Sequence, residues 1–203
     1  MSDAMEIDLA GATIALEGPG NPLVEAALAT LRANGGRIVE GVRARPVGML
    51  PPDILLVSCP LRPGTTAEDP PTLYADARKA AVAMTERGSG RIVFLISATA
   101  GMPMRRHPRF SMENASILAG MRTLAMEFGP KVLVNAVGFG AVEAETMVSG
   151  DKAMLSHTPV GRAGRIEEAV AAVLFFCDPL NTYTTGQMLG VDGGWTAGYG
   201  RNF

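Results

Sequence analysis

The chain has 203 residues, 47% of them hydrophobic, with a formal net charge of −2. That is enough for one well-buried domain over residues 1–203, and the slightly acidic balance excludes a nucleic-acid protein, since the one basic cluster (Arg105, Arg106, His107, Arg109) is a short loop read as solvated. No apolar run approaches the ~18 residues of a membrane span and no signal pattern opens the chain; Cys59 and Cys177 form no metal-type cluster with His107 and His157, so a reduced, cytoplasmic protein without metal is expected.

After a polar lead, Ala12 to Leu16 reads as a first buried strand. A turn and an amphipathic helix follow, with Asn21 as cap, Pro22 at the first helical position and Gly35 and Gly36 as the stop. Arg37 to Val42 is read as the second strand and Ile54 to Val57 as the third. Only residues 43–53, with Pro46, Pro51 and Pro52, connect them. A strand-helix-strand unit needs ~30 residues in all, so this connection returns down the sheet without room for a helix and a further strand.

Pro70 and Pro71 introduce a helix from about Thr72 to Arg87. Then come a buried strand (Arg91 to Ile96), a polar loop, a long helix (about Ser111 to Phe128) and another buried strand (Lys131 to Val137). A polar stretch, Glu143 to Arg165, precedes a helix from Ile166 to Cys177 with Glu167 and Glu168 in its first turn, and a last strand, Gln187 to Val191, runs into DGGW. The alternation predicts an α/β fold with a doubly wound parallel sheet of about six strands.

The long helix is unusual. From Ala115 to Phe128 only Arg122 and Glu127 carry charge, and apolar or small residues surround its circumference. One face packs on the sheet; the other is expected to meet a second subunit. Ala115, Ala119, Gly120, Met121, Leu124, Phe128 and, near the end of the chain, Trp195 are the candidate interface residues.

GSGRIVFLIS, LAMEFGPKVLVNAV, VGRAGRIEEAVAAVLFF and TTGQMLGVDGGW stand in the order of corresponding segments of the short-chain dehydrogenase/reductase family, which the chain resembles over nearly its whole length. The resemblance implies that family's Rossmann-like fold, here shortened, with one strand and its helices missing after the second strand. It also implies homo-oligomers, or hetero-oligomers with a full-length family member, through the helices near 72–87 and 111–128 and the last helix and strand.

The family's functional motifs are largely absent. Its catalytic tyrosine and lysine fall on Phe110 and Asn114, which offer neither a proton nor a charge to tune one. Its serine falls on Ala98, or on Ser97 when counted back from Phe110. Its Gly-rich cofactor turn reads Glu17-Gly18-Pro19-Gly20-Asn21-Pro22-Leu23-Val24: Gly18 fits, Pro22 and Val24 replace the later glycines, and Glu17 adds a negative charge. The Asn-Asn-Ala-Gly motif is Val57-Ser58-Cys59-Pro60, and the positions of the family's Pro-Gly and following Thr hold Phe139, Gly140 and Ala144.

These losses together give the expectation of a catalytically silent subunit, with no cofactor, that assembles with an active NAD(P)-dependent dehydrogenase/reductase and shapes its site. Two alternatives stand beside it. One is an active NAD(P)-dependent oxidoreductase with an atypical proton donor among Ser97, Thr99, His107 and Ser111. The other is a cofactor-free small-ligand-binding protein, with a pocket between Phe110, Asn114 and the stretch after Glu143, lined by Met104, Met112, Met147 and Met154.

Overall fold

Every residue of the segment ILLVS, Ile54–Ser58, is buried, as a strand covered on both faces requires. The computed structural model describes residues 6–44, 49–64, 69–143 and 155–198, and its strands form one parallel sheet. In chain order the elements are β1 (Thr13–Glu17), α1 (Pro22–Ala33), β2 (Arg37–Ile38), β3 (Ile54–Ser58), α2 (Pro70–Arg87), β4 (Gly90–Ser97), α3 (Pro108–Phe128), β5 (Val132–Phe139), α4 (Ile166–Cys177) and β6 (Met188–Val191). Short 3-10 turns occupy Ala98–Ala100 and Trp195–Ala197.

The sheet order is β2-β1-β3-β4-β5-β6. On one face Leu23, Val24, Ala27 and Leu31 of α1 pack with Val170 and Val173 of α4; on the other Leu73, Ala77 and Met84 of α2 pack with Ile117, Met121 and Leu124 of α3. The chain goes from β1 to β2 on one side and then places β3 on the other side of β1. The order therefore reverses between β1 and β3, and a doubly wound sheet opens a crevice at the carboxyl ends of the strands on either side of such a reversal.

Two expectations change at this level. The second strand stops at Ile38 rather than Val42. Val39 still donates its N–H to the Ile14 carbonyl (2.8 Å), after which the chain turns across the end of the sheet and buries Val42, 7% exposed, against the α2 side. An apolar run that fills a core from a turn looks, in sequence, like a strand. Helices α2 and α3 also begin earlier, at Pro70 and Pro108, because proline suits the first turn, where an N–H has no helical acceptor.

The outer face of α3 is narrower than expected. Met121 and Leu124 are fully buried and Phe128 is 8% exposed, all in the chain's own core, so they are corrected from interface to core. Gly120 is small for an internal reason: a Cβ there would stand 2.8 Å from Cδ2 of Tyr74 on α2. Met112, Ala115, Ala119 and Met126 remain exposed along one stripe, while Trp195 is half-buried in its 3-10 turn.

Candidate functional site

The segment after β3, the loop before α3 and the first turns of α2 and α3 border a cavity of about 570 Å³, within the usual range for small-molecule sites. Its wall includes Cys59, Arg62, His107, Phe110 and Asn114. Arg106 and Arg109 stand at its side with Asp69 and Glu113, and Arg109 pairs with Glu113 at 2.7 Å. The cavity thus lies between α2 and α3. Met104 and Met112, expected to line an apolar cleft, are not among its lining residues, and Met147 and Met154 fall outside the described residues.

Ser97 closes β4 in extended conformation. Its N–H donates to Asn114 Oδ1 (2.9 Å), and its Oγ accepts from the Thr99 N–H (3.3 Å). Asn114 in turn donates Nδ2–H to the Phe110 carbonyl (3.0 Å). At the position matched to the family's lysine, a neutral amide uses both of its ends to clamp α3 onto β4. Phe110 is 7% exposed and Ala98 is buried in the turn after β4. Only Ser97 of the two serine candidates brings a hydroxyl.

The expected substitute donors have different surroundings. Ser111 donates to the His107 carbonyl (3.0 Å) and accepts from the Met104 N–H (2.9 Å), so it holds the loop before α3. The Thr99 hydroxyl is buried and finds no hydrogen-bond partner, as does that of Ser58 at the end of β3. His107 is exposed at the α3 N-cap, makes no side-chain cap bond, and faces the cavity. Cys59 is not a nucleophile, because burial pushes its thiol up to about 12.

The turn after β1 keeps one glycine for reasons of packing. Gly18 has φ +89°, and a Cβ there would overlap the Ser58 carbonyl oxygen. At the α1 N-terminus Asn21 Oδ1 already accepts the Val24 N–H (3.0 Å), and Pro22 has no N–H to offer. The Glu17 side chain, 6% exposed, accepts the Arg43 N–H through Oε1 (2.9 Å). These groups do not fit a pyrophosphate: two of its donors are missing or engaged, and a carboxylate stands beside its place. Among the described residues no group of three or more His, Cys, Asp or Glu could hold a metal ion, and no helix is long and apolar enough to cross a membrane.

Sequence reasoning missed Ser58 as an unpartnered hydroxyl and Arg62 as a cavity residue. Nothing in a single sequence marks them, since each acquires its surroundings from a neighbouring strand or helix. The segment after Ile38 was missed for the opposite reason: its apolar residues carry a signal that suits a strand equally well.

The family model described as Enoyl-(Acyl carrier protein) reductase matches residues 72–196. Among curated relatives, a 3-oxoacyl-[acyl-carrier-protein] reductase, FabG, from Aquifex aeolicus is 34% identical over 116 residues, covering 55% of this chain and 47% of its own. A galactitol 2-dehydrogenase (L-tagatose-forming) from Cereibacter sphaeroides is 37% identical over 125 residues, covering 56% and 48%. The chain spans about half the length of the curated relatives it matches. A short-chain dehydrogenase from Leptospira borgpetersenii, solved with bound NAD+, shares the fold with TM-score 0.73 at 18% identity, over 94% of each chain.

These relatives overturn two expectations, the catalytically silent subunit and the absence of a cofactor. These relatives are a reductase and a dehydrogenase by name, and a structure of the same fold carries a nicotinamide dinucleotide. The error lay in equating the family's particular donor residues with its chemistry. Phe110 and Asn114 remove one tyrosine-lysine arrangement, but the same cavity keeps an imidazole on its wall.

Proposed function

The chain belongs to the short-chain dehydrogenase/reductase family, and from that premise we propose that it is an NAD(P)-dependent oxidoreductase interconverting a carbonyl and an alcohol, with His107 in place of the family's tyrosine as proton donor and acceptor. The observation that carries this reading is the position of His107. It stands at the N-cap of α3, three residues before Phe110, and borders the cavity that Phe110 and Asn114 also line.

Reducing a carbonyl to an alcohol requires a hydride at carbon, which a bound nicotinamide would supply, and one proton at the developing alkoxide, where a general acid within hydrogen-bond reach is worth about 10² to 10⁴ in rate. An imidazole can donate and take back that proton near neutral pH. Ser97 supports the site indirectly: its N–H binds Asn114 Oδ1, which lines the cavity. The turn after β1 does not hold a dinucleotide as it stands. The substrate class follows the relatives: small ketones, sugar alcohols or 3-oxoacyl groups.

Two further parts of the reading are supported more narrowly. The exposed stripe Met112, Ala115, Ala119 and Met126 supports assembly of α3 with a second subunit, and the free, buried Cys59 and Cys177 support a reducing, cytoplasmic setting. The functional test is calorimetric titration with NADH and NADPH, followed by an absorbance assay over those three substrate groups. Turnover with cofactor binding no tighter than the millimolar range, and a loss of about 10² or more in kcat for His107→Gln, are expected. No binding at millimolar cofactor would sink the oxidoreductase reading; an unchanged kcat in His107→Gln would move the proton donor elsewhere.

A further inference from the structure

The crevice between β1 and β3 is crossed by the chain itself. Gly41 lies against the last residues of β1: a Cβ on it would stand 2.8 Å from the Leu16 carbonyl oxygen and 2.5 Å from Glu17 Oε1. Val42, 7% exposed, joins the cluster that contains Val57, Cys59 and Leu73. The Arg43 N–H binds the Glu17 carboxylate (2.9 Å), and its guanidinium pairs with Asp76 on α2, Nε to Oδ2 at 3.1 Å. Three successive residues are thus tied to the end of β1, to the core and to α2. A loop that merely returned from β2 to β3 would need none of these anchors.

We propose that Gly41–Arg43 form a strap that closes this crevice to the adenosine-diphosphate half of a dinucleotide, so that binding of a whole NAD(P) requires Val42 to leave the core and Arg43 to release Asp76. The physical grounds are steric and electrostatic. A ligand at the carboxyl ends of β1 and β3 occupies the switch point of the sheet, and here that place holds backbone at Gly41 and a side chain at Val42. Its phosphates would also meet the buried Glu17 carboxylate, which the strap at present satisfies with a backbone N–H; like charges in a half-dry site repel strongly. The strap reconciles a family that uses dinucleotides with a turn that does not fit one. Its importance for catalysis rests on the oxidoreductase reading, but the closure itself is a property of this chain.

The test uses ADP-ribose as a probe of the adenine-side half alone, titrated by calorimetry into the full chain, with amide hydrogen exchange at Val42 and Arg43 reporting the strap. Asp76→Ala and Val42→Ser each remove one anchor; Asp76 sits at the edge of α2 and outside the apolar core, so that variant keeps its fold even where Val42→Ser is too disruptive. The wild type is expected to bind no ADP-ribose up to millimolar and to protect the Arg43 amide. The released variants should exchange that amide at least tenfold faster and bind ADP-ribose at least tenfold more tightly. Micromolar binding by the wild type would overturn the proposal. So would a variant whose Arg43 amide exchanges freely while ADP-ribose still fails to bind. Reduced nicotinamide mononucleotide, titrated in parallel, reads the other half: its failure to bind counts against the oxidoreductase reading, while the ADP-ribose result decides the strap on its own.

Discussion

Replacing Gly18 by alanine separates two reasons for a glycine after β1. In the family's pattern the glycine lets a backbone approach phosphate; in this chain it lets β1 end against the Ser58 carbonyl at the end of β3, with the Ser58 carbonyl carbon 3.0 Å from where a Cβ would stand. Gly18 also has φ +89°, a conformation that costs an L-residue about 1–2 kcal/mol. The contact is with backbone, which cannot rotate away, so the overpacking falls toward the upper end of the usual range of about 1–3 kcal/mol. Together these give a destabilisation of about 3–5 kcal/mol, a large part of the stability of a domain this size. At about 2–4 °C per kcal/mol the melting temperature falls by roughly 6–20 °C. Gly20 is the control, because a Cβ there meets nothing within 4 Å and Gly20→Ala should stay within about 0.5 kcal/mol. Urea unfolding and calorimetric melting of both variants, without any cofactor, make the measurement. A Gly18→Ala protein within about 1 kcal/mol of wild type, or a Gly20→Ala protein equally destabilised, would refute the packing argument.

Other outcomes follow from the same contacts. Ala119→Trp should leave the melting transition nearly unchanged and shift the mass in solution downward if α3 packs on another subunit, whereas Gly120→Leu should destabilise the fold itself by pressing on Tyr74; light scattering and thermal melts distinguish them. Cys59 and Cys177, whose thiols burial pushes up to about 12, should resist alkylation at pH 8 in the native protein and react at once when it is unfolded, as mass spectrometry will read. Hydrogen bonds from Arg162 and the Arg165 N–H hold the Glu168 carboxyl down to about 2, below its unfolded value, so its stabilisation is present above the unfolded pKa and is lost as pH falls through the folded one. The stability difference between wild type and Glu168→Gln should therefore shrink between about pH 5 and pH 2 in acid titrations followed by circular dichroism.

Much of the fold was legible because it depends on local pattern. The buried parallel strands appear as short apolar runs, and Asn21-Pro22 marks the start of α1 by chemistry that needs no distant partner: the Asn21 side chain accepts the Val24 N–H. The short path from residue 43 to residue 53 excluded an extra strand by length alone. The candidate site was legible only in part. Phe110, Asn114 and the pair Ser97 and Ala98 were placed by the resemblance to the family, but the sequence could not show that Asn114 joins α3 to β4 by bonding the Ser97 N–H.

The sequence by itself determined the order of strands and helices, the family, and which of the family's donor residues are absent, because each of these is written in contiguous residues. Only the tertiary structure decided that Met121, Leu124 and Phe128 belong to the core rather than to an interface, and that Gly120 makes room for Tyr74. It alone showed that Val42 and Arg43 leave the sheet to cross the crevice over Glu17. Those outcomes depend on which elements lie beside each other, and an apolar or small residue carries the same signal whether its neighbour is its own sheet, another helix or a turn folding back from far along the chain.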